Sequence, residues 1–212
     1  MPDAPARGGW PARLVLATGN PGKRRELAEI LAPDGVEVLG VADVASDGWS
    51  VVEDGATFLE NARLKAHDLA RRAGMPALAD DSGLEVDALG GRPGVRSARY
   101  AGAHATDAAN VARLLDELAG VSDERRVAAF RCALVLAWPD GTAVEAEGRC
   151  EGWIACTPRG HGGFGYDPVF IDPASGRSFA ELPTAAKNAF SHRRRALDAL
   201  RRALAERRRP RA

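Results

Sequence analysis

The chain has 212 residues, 29 Lys and Arg against 29 Asp and Glu, with 45% hydrophobic and 27% charged residues. That is slightly more than one ordinary domain, with enough apolar residues to bury its own core, and it excludes a disordered chain, a collagen and a disulfide scaffold. The zero net charge argues against a general nucleic-acid binder. The run Ala133-Leu134-Val135-Leu136-Ala137-Trp138 is the longest fully apolar stretch, far below the roughly 20 residues that span a bilayer. Met1 to Pro11 lacks the apolar region of a secretory signal, and Cys132, Cys150 and Cys156 form no Cys-x-x-Cys pair. Free thiols in a reducing, cytoplasmic compartment are expected.

Residues 1–12 read as a loose tail, and residues 208–212 as another. Arg13 to Thr18 reads as a buried strand, followed by Gly19-Asn20-Pro21-Gly22 and an amphipathic helix from Lys23 to Leu31. Asn20 suits the N-cap and Pro21 the first helical position. Val36 to Val44 reads as a second strand. Thr57 with Glu60 forms a capping-box pattern that opens a helix to about Ala73. Ala77 to Ala79 reads as a short strand ending in an Asp80-Asp81-Ser82-Gly83 turn, with a further strand at Leu84 to Leu89. A helix is predicted over Thr106 to Leu118. Strands over Arg126–Trp138 and Thr142–Ile154 flank the hairpin turn Pro139-Asp140-Gly141. A Gly-rich loop follows at Gly160 to Asp167, and Ser191 caps a last helix to about Arg207. No linker divides 13–207, which reads as one α/β domain with a mixed sheet.

The basic residues are unevenly divided: 26 are Arg and three, Lys23, Lys65 and Lys187, are Lys. An ammonium is a compact point charge and a guanidinium a wide planar fork. In a chain that uses Arg so heavily, retained lysines suggest tight anion contacts, phosphate first among them. Thr18-Gly19-Asn20-Pro21-Gly22-Lys23 joins a strand to a helix N-terminus, which offers free N–H groups to an anion. It is not a Walker P-loop, and an ordinary turn has the same sequence features. Asp80 and Asp81 can share a site only if the strand has ended, because adjacent strand residues face opposite ways. Asp81 with Glu53 is a candidate for Mg²⁺ at a polyphosphate, which takes one or two carboxylates; a solvated turn is the alternative. In the Gly-rich loop, Phe164 and Tyr166 could stack on a base, or the loop could be plain flexible surface. His192 and Arg193 at a helix start oppose its dipole, which makes sense beside an anion or a polar ligand.

Six motifs occur in order: Thr18-Gly19-Asn20-x-x-Lys23; Phe58-x-Glu60-Asn61-Ala62-x-x-Lys65-Ala66; Ala79-Asp80-Asp81-Ser82-Gly83-Leu84; Gly94-x-x-Ser97-Ala98-Arg99-Tyr100; Gly163-Phe164-Gly165-Tyr166-Asp167-Pro168-x-Phe170; and Ser191-His192-Arg193. Over about residues 13–205 the chain resembles the inosine/xanthosine triphosphate pyrophosphatase family, the Ham1-like enzymes. The resemblance implies an α/β fold, an elongated mixed β-sheet with flanking helices and two lobes around a central cleft. It implies a homodimer and Mg²⁺-dependent hydrolysis of ITP, dITP or XTP to the monophosphate and pyrophosphate, with neither nucleic acid nor membrane as partner.

By the same resemblance, Thr18, Gly19, Asn20, Pro21, Gly22 and Lys23 hold the triphosphate and Lys65 reaches a phosphate. Asp81 is proton acceptor and metal ligand, Glu53 a second metal ligand, and Ser82 lies beside the substrate. Phe164 stacks on the base, and Gly165, Tyr166 and Asp167 line its pocket. Lys187, His192 and Arg193 contact the nucleotide, with Arg193 a donor near O6. Pro183-Thr184-Ala185-Ala186 departs from a more acidic stretch common in the family. A Maf-type pyrophosphatase, a nucleotide sensor that does not turn over, and an RNA binder using residues 191–211 are rival readings. A panel of nucleotides and salt-dependent RNA affinity would separate them.

Overall fold

A computed structural model of the chain describes residues 9–45 and 48–207. The described residues form two compact units. The first takes the chain through Asp81, Cys132–Gly148 and the chain from Arg193 onward; the second takes Ser82–Arg131 and Arg149–His192. Six strands lie in one mixed sheet: β1 Arg13–Leu16, β2 Glu37–Leu39, β3 Ala77–Val86, β4 Val127–Ala137, β5 Ala143–Ile154 and β6 Phe170–Ile171, in the order β2-β1-β3-β4-β5-β6. β1 runs parallel to β2 and β3, while β5 and β6 are antiparallel. The helices are α1 Pro21–Leu31, α2 Phe58–Ala73, α3 Asp107–Glu117, α4 Thr184–Phe190 and α5 His192–Arg207.

The first unit packs Leu14 and Leu16 of β1, Leu27 and Leu31 of α1, Cys132, Leu134 and Leu136 of β4, and Leu197, Leu200 and Leu204 of α5 into one core. α1 and α2 start where local chemistry says they should. Asn20 accepts the Lys23 N–H, and Thr57 and Glu60 exchange both bonds of a capping box. α2 buries Phe58, Asn61, Ala62, Lys65, Ala66, Leu69 and Ala70. These positions recur at helical spacing, so its inward face carries two polar side chains, Asn61 and Lys65, one turn apart.

The second unit has its own core, in which Leu84 and Val86 of β3 meet Val111 and Leu114 of α3, Phe130 of β4, Tyr166, and Phe170 and Phe179. Phe130 and Phe170 stand 4.4 Å apart between ring centroids, and Phe170 meets Phe179 edge-on at 4.8 Å. Such pairs add to plain area burial.

Three expectations are corrected. Trp10 is fully buried in the first core, and the Ala12 carbonyl accepts the Glu37 N–H at 2.8 Å, so packing begins before Arg13 and the loose tail does not reach residue 12. Residues 1–8 of that tail, and the tail 208–212 with Arg208 and Arg209, lie outside the described residues. The second strand is three residues long, because Asp43 turns back to accept the Gly40 N–H at 2.7 Å and the chain coils into a 3₁₀ turn at Val41–Asp43. Thr184–Phe190 forms a further short helix, and Ser191, extended, ends it and directly precedes α5, where the sequence places the cap.

The third correction bears most on function. Asp80-Asp81-Ser82-Gly83 is no turn; it is the middle of the continuous ten-residue strand β3. Every residue of β3 is buried or half-buried, as in strands covered on both faces.

Candidate active site

Because β3 does not break at Asp80, its two adjacent carboxylates face opposite ways. Asp80 follows Leu78 on the side of the first core. Its Oδ1 lies 2.6 Å from the Lys23 ammonium, and its Oδ2 accepts from Arg193 Nε and Cys132 Sγ, each at 3.1 Å. Arg193 also donates through Nη1 to Glu26 at 2.7 Å. The Asp80 side chain is fully buried and Lys23 keeps 15% of its surface exposed. Burial opposes the charged form of Asp80, but Lys23 and Arg193 outweigh it and hold the carboxyl below the usual carboxylate range. The Cys132 thiol is pushed well up, by burial first and then by Asp80, so it stays a neutral donor.

Asp81 faces α2. Its Oδ1 accepts from Lys65 Nζ at 3.1 Å and its Oδ2 from Asn61 Nδ2 at 3.2 Å. The Lys65 ammonium also reaches Glu53 Oε2 at 3.0 Å. Asn61 is fixed at its other end by the Gly55 N–H, 2.9 Å away. A Cβ at Gly55 would stand 2.7 Å from the Asn61 oxygen, so the approach needs glycine. Burial raises the Asp81 pKa; Lys65 and Lys23 pull it down, Glu53 pushes it up, and the net direction is upward. Lys65 stays charged, its pKa raised by Asp81 and Glu53 against the cost of burial.

Among the described residues no three His, Cys, Asp or Glu gather as a metal cluster. Two carboxylates, Glu53 and Asp81, nonetheless converge on one cation, Lys65. Oxygen donors of that number suit Mg²⁺ at a polyphosphate, where phosphates and waters complete the shell. The donor set therefore fits the ion.

The turn before α1 is less open than its sequence suggests. Thr18 Oγ1 takes the Asn20 N–H, Asn20 Oδ1 takes the Lys23 N–H, and the Asn20 carbonyl takes the Arg24 N–H. Much of the expected N–H cradle is thus satisfied internally, and the Lys23 ammonium is drawn to Asp80. Arg193, expected to contact the nucleotide, stands at the start of α5 and is buried. Its guanidinium is buried between Asp80 and Glu26, so the anions that justify a cation at the start of α5 are protein carboxylates.

In the second unit the Gly-rich loop is wired in place. Asp167 accepts the Phe164 N–H at 2.9 Å and pairs with Lys187 at 2.5 Å. Gly165 N–H donates to Asp107 Oδ2 at 2.7 Å. Gly163 has φ +72°, and any Cβ there would collide with the Asp167 carboxylate. The Lys187 ammonium stands 5.1 Å over the half-buried Phe164 ring. His192, expected to contact nucleotide, is buried and stacks on Phe130 at 4.8 Å. Ser82 is half-buried on β3.

Tyr166, expected to line the base pocket, is held at its hydroxyl end. It is buried, and its hydroxyl donates to the Ser97 carbonyl at 2.9 Å, while Ser97 Oγ accepts the Leu84 N–H at 2.9 Å and donates to the Gly94 carbonyl at 2.6 Å. The Gly94–Tyr100 motif, without a chemical role in the sequence reading, is thus the anchor of the loop. Tyr166→Phe removes one hydroxyl and strands a buried carbonyl; it should cost about 1–2 kcal/mol. Urea denaturation measures this, and an unshifted midpoint would mean the hydroxyl anchors nothing.

The residues singled out from sequence fall into two groups: Lys23, Lys65, Glu53, Asp81 and Arg193 in the first unit, Phe164, Asp167 and Lys187 in the second. No role in the site was assigned to Asn61, Glu26 or Cys132, and Asp80 was considered only as sharing a site with Asp81. Asn61 had a signal, since a polar residue on the buried face of an amphipathic helix needs a partner.

The chain is similar to known proteins over most of its length. The dITP/XTP pyrophosphatase of Geobacillus kaustophilus (strain HTA426) is 54% identical over 187 residues, 88% of this chain and 91% of its own. That of Thermus thermophilus is 55% identical over 188 residues, 89% of each chain. The solved Ham1 protein of Staphylococcus aureus matches with a TM-score of 0.81 at 38% identity, covering 92% of this chain and 100% of that one. The Ham1 family pattern covers residues 14–203, and the chain belongs to that family.

Proposed function

We propose that this protein hydrolyses deaminated purine nucleoside triphosphates, ITP, dITP and XTP, to the monophosphate and pyrophosphate. The carrying observation is the convergence of Asp81 and Glu53 on Lys65, in a chain more than half identical to dITP/XTP pyrophosphatases. The reading extends to Mg²⁺ as the divalent ion and to a cytoplasmic homodimer acting on free nucleotides, on the strength of the family resemblance. Among the described residues no helix is long and apolar enough to cross a membrane.

Glu53 and Asp81 would hold the ion, which when bound would supply charge neutralisation at the phosphates. Lys23 and Lys65 stabilise the leaving pyrophosphate electrostatically. Asn61 fixes one oxygen of Asp81, and the carboxylate orients the attacking water and takes its proton. Phe164 offers a ring face to the base. Lys187, beside that ring, is a donor and never an acceptor. It can meet the O6 of hypoxanthine or xanthine but not the amino group of adenine, and unpaired polar groups of this kind reject an analogue strongly.

The test is pyrophosphate release from ITP, dITP, XTP, GTP and ATP, with and without Mg²⁺. We expect Mg²⁺-dependent release from ITP, dITP and XTP and little from ATP. ITP binding without release would support the sensor reading instead.

A further inference from the structure

Lys65 stands on the two carboxylates expected to hold the divalent ion, not on open surface where a phosphate would find it. Its ammonium lies 3.0 Å from Glu53 Oε2 and 3.1 Å from Asp81 Oδ1, with its side chain 9% exposed. One turn earlier on α2, Asn61 holds the other Asp81 oxygen. Asp81 is thus fixed on one oxygen and bridged to Glu53 on the other. A divalent ion shared by those carboxylates would sit about 2.1 Å from an oxygen of each, in the region the ammonium bridges. A unit positive charge and a dication repel strongly at such separations. With Lys65 the trio carries net charge −1; without it the two carboxylates carry −2, better matched to a dication. A triphosphate offers Lys65 oxygens of higher charge density than either carboxylate.

We infer that Lys65 competes with the divalent ion for Glu53 and Asp81, and that the triphosphate ends the competition by drawing the ammonium onto its own oxygens, so that metal and nucleotide enter together. This deepens the proposed function and rests on its assignment of Glu53 and Asp81. Lys65 then has two successive partners, carboxylates first and phosphate second. Its charge acts against the metal when no nucleotide is present and against the substrate's negative charge when one is.

Mn²⁺ titrated into the full-length, nucleotide-free protein, with free Mn²⁺ read by electron paramagnetic resonance, tests this without relying on turnover. Lys65→Met should bind Mn²⁺ at least about tenfold more tightly than the unaltered chain, the effect of lifting a like charge from the site. Lys65→Arg keeps the charge and should stay close to the unaltered chain. Adding Glu53→Gln to Lys65→Met should abolish the gain. Circular dichroism checks that each variant folds, and Lys65→Gln serves where Lys65→Met does not. Mn²⁺ affinity that is unchanged or weaker in the neutral variant overturns the inference. Pyrophosphate release from ITP by the unaltered chain is measured in parallel: failure there with the Mn²⁺ gain intact removes the function and leaves the competition standing.

Discussion

Asp81→Asn is expected to lower kcat for pyrophosphate release from ITP by at least about 100-fold, the scale of losing a general base or a metal carboxylate. The substitution keeps the side chain's shape but leaves one acceptor oxygen, so its NH2 faces either Asn61 or Lys65, both donors. Lys65 retains Glu53, so the loss of stability should stay below that at Asp80. Burial raises the Asp81 pKa and Glu53 adds to it, so the ionised carboxylate is disfavoured by the fold and its neutral replacement relieves part of that cost. Steady-state kinetics and a denaturation midpoint on the same preparation give both numbers. A kcat within tenfold of the unaltered chain would remove Asp81 from the chemistry, and a collapse in stability would show that the loss of activity was structural.

Its neighbour should behave in the opposite way. Asp80→Asn removes the anion shared by Lys23 and Arg193. Removing one partner of a buried ion pair costs about 3–5 kcal/mol, because the remaining charge is left uncompensated. Arg193 retains Glu26, and Lys23 is exposed enough to turn toward water, so the lower end of that range is expected. For a chain of this size it corresponds to a fall in melting temperature of roughly 6–12 °C. Lys23 also loses the carboxylate that aims it, so KM for ITP should rise. A melting temperature within about 2 °C of the unaltered chain, on the same scale, would show that the Asp80 network adds little to stability.

The contrast between these neighbours marks how far the sequence could be read. The starts of α1 and α2 were legible because capping is settled within four residues: Asn20 with the Lys23 N–H, Thr57 with Glu60. The three lysines were legible as anion contacts, and each meets a carboxylate: Lys23 on Asp80, Lys65 on Asp81 and Glu53, Lys187 on Asp167. The middle of β3 was misread because Asp-Asp-Ser-Gly favours a turn locally, whereas strand preference depends on what covers each face. Its neutralising cations come from other elements, one of them 113 residues away. The carboxylate partners of Arg193 were illegible for the same reason, since the second, Glu26, lies 167 residues back. Trp10 looked like tail because no short-range pattern announces a single core residue ahead of the first strand.

By itself, then, the sequence determined the helix starts, the number of retained ammonium groups, and the six ordered motifs that place the chain in its family. The tertiary structure alone decided which way each of two adjacent carboxylates points, and that Tyr166 anchors its loop through the Ser97 carbonyl. Capping and helical spacing act through neighbours in the chain. Charge pairing and burial act through space, where distance along the chain carries no weight.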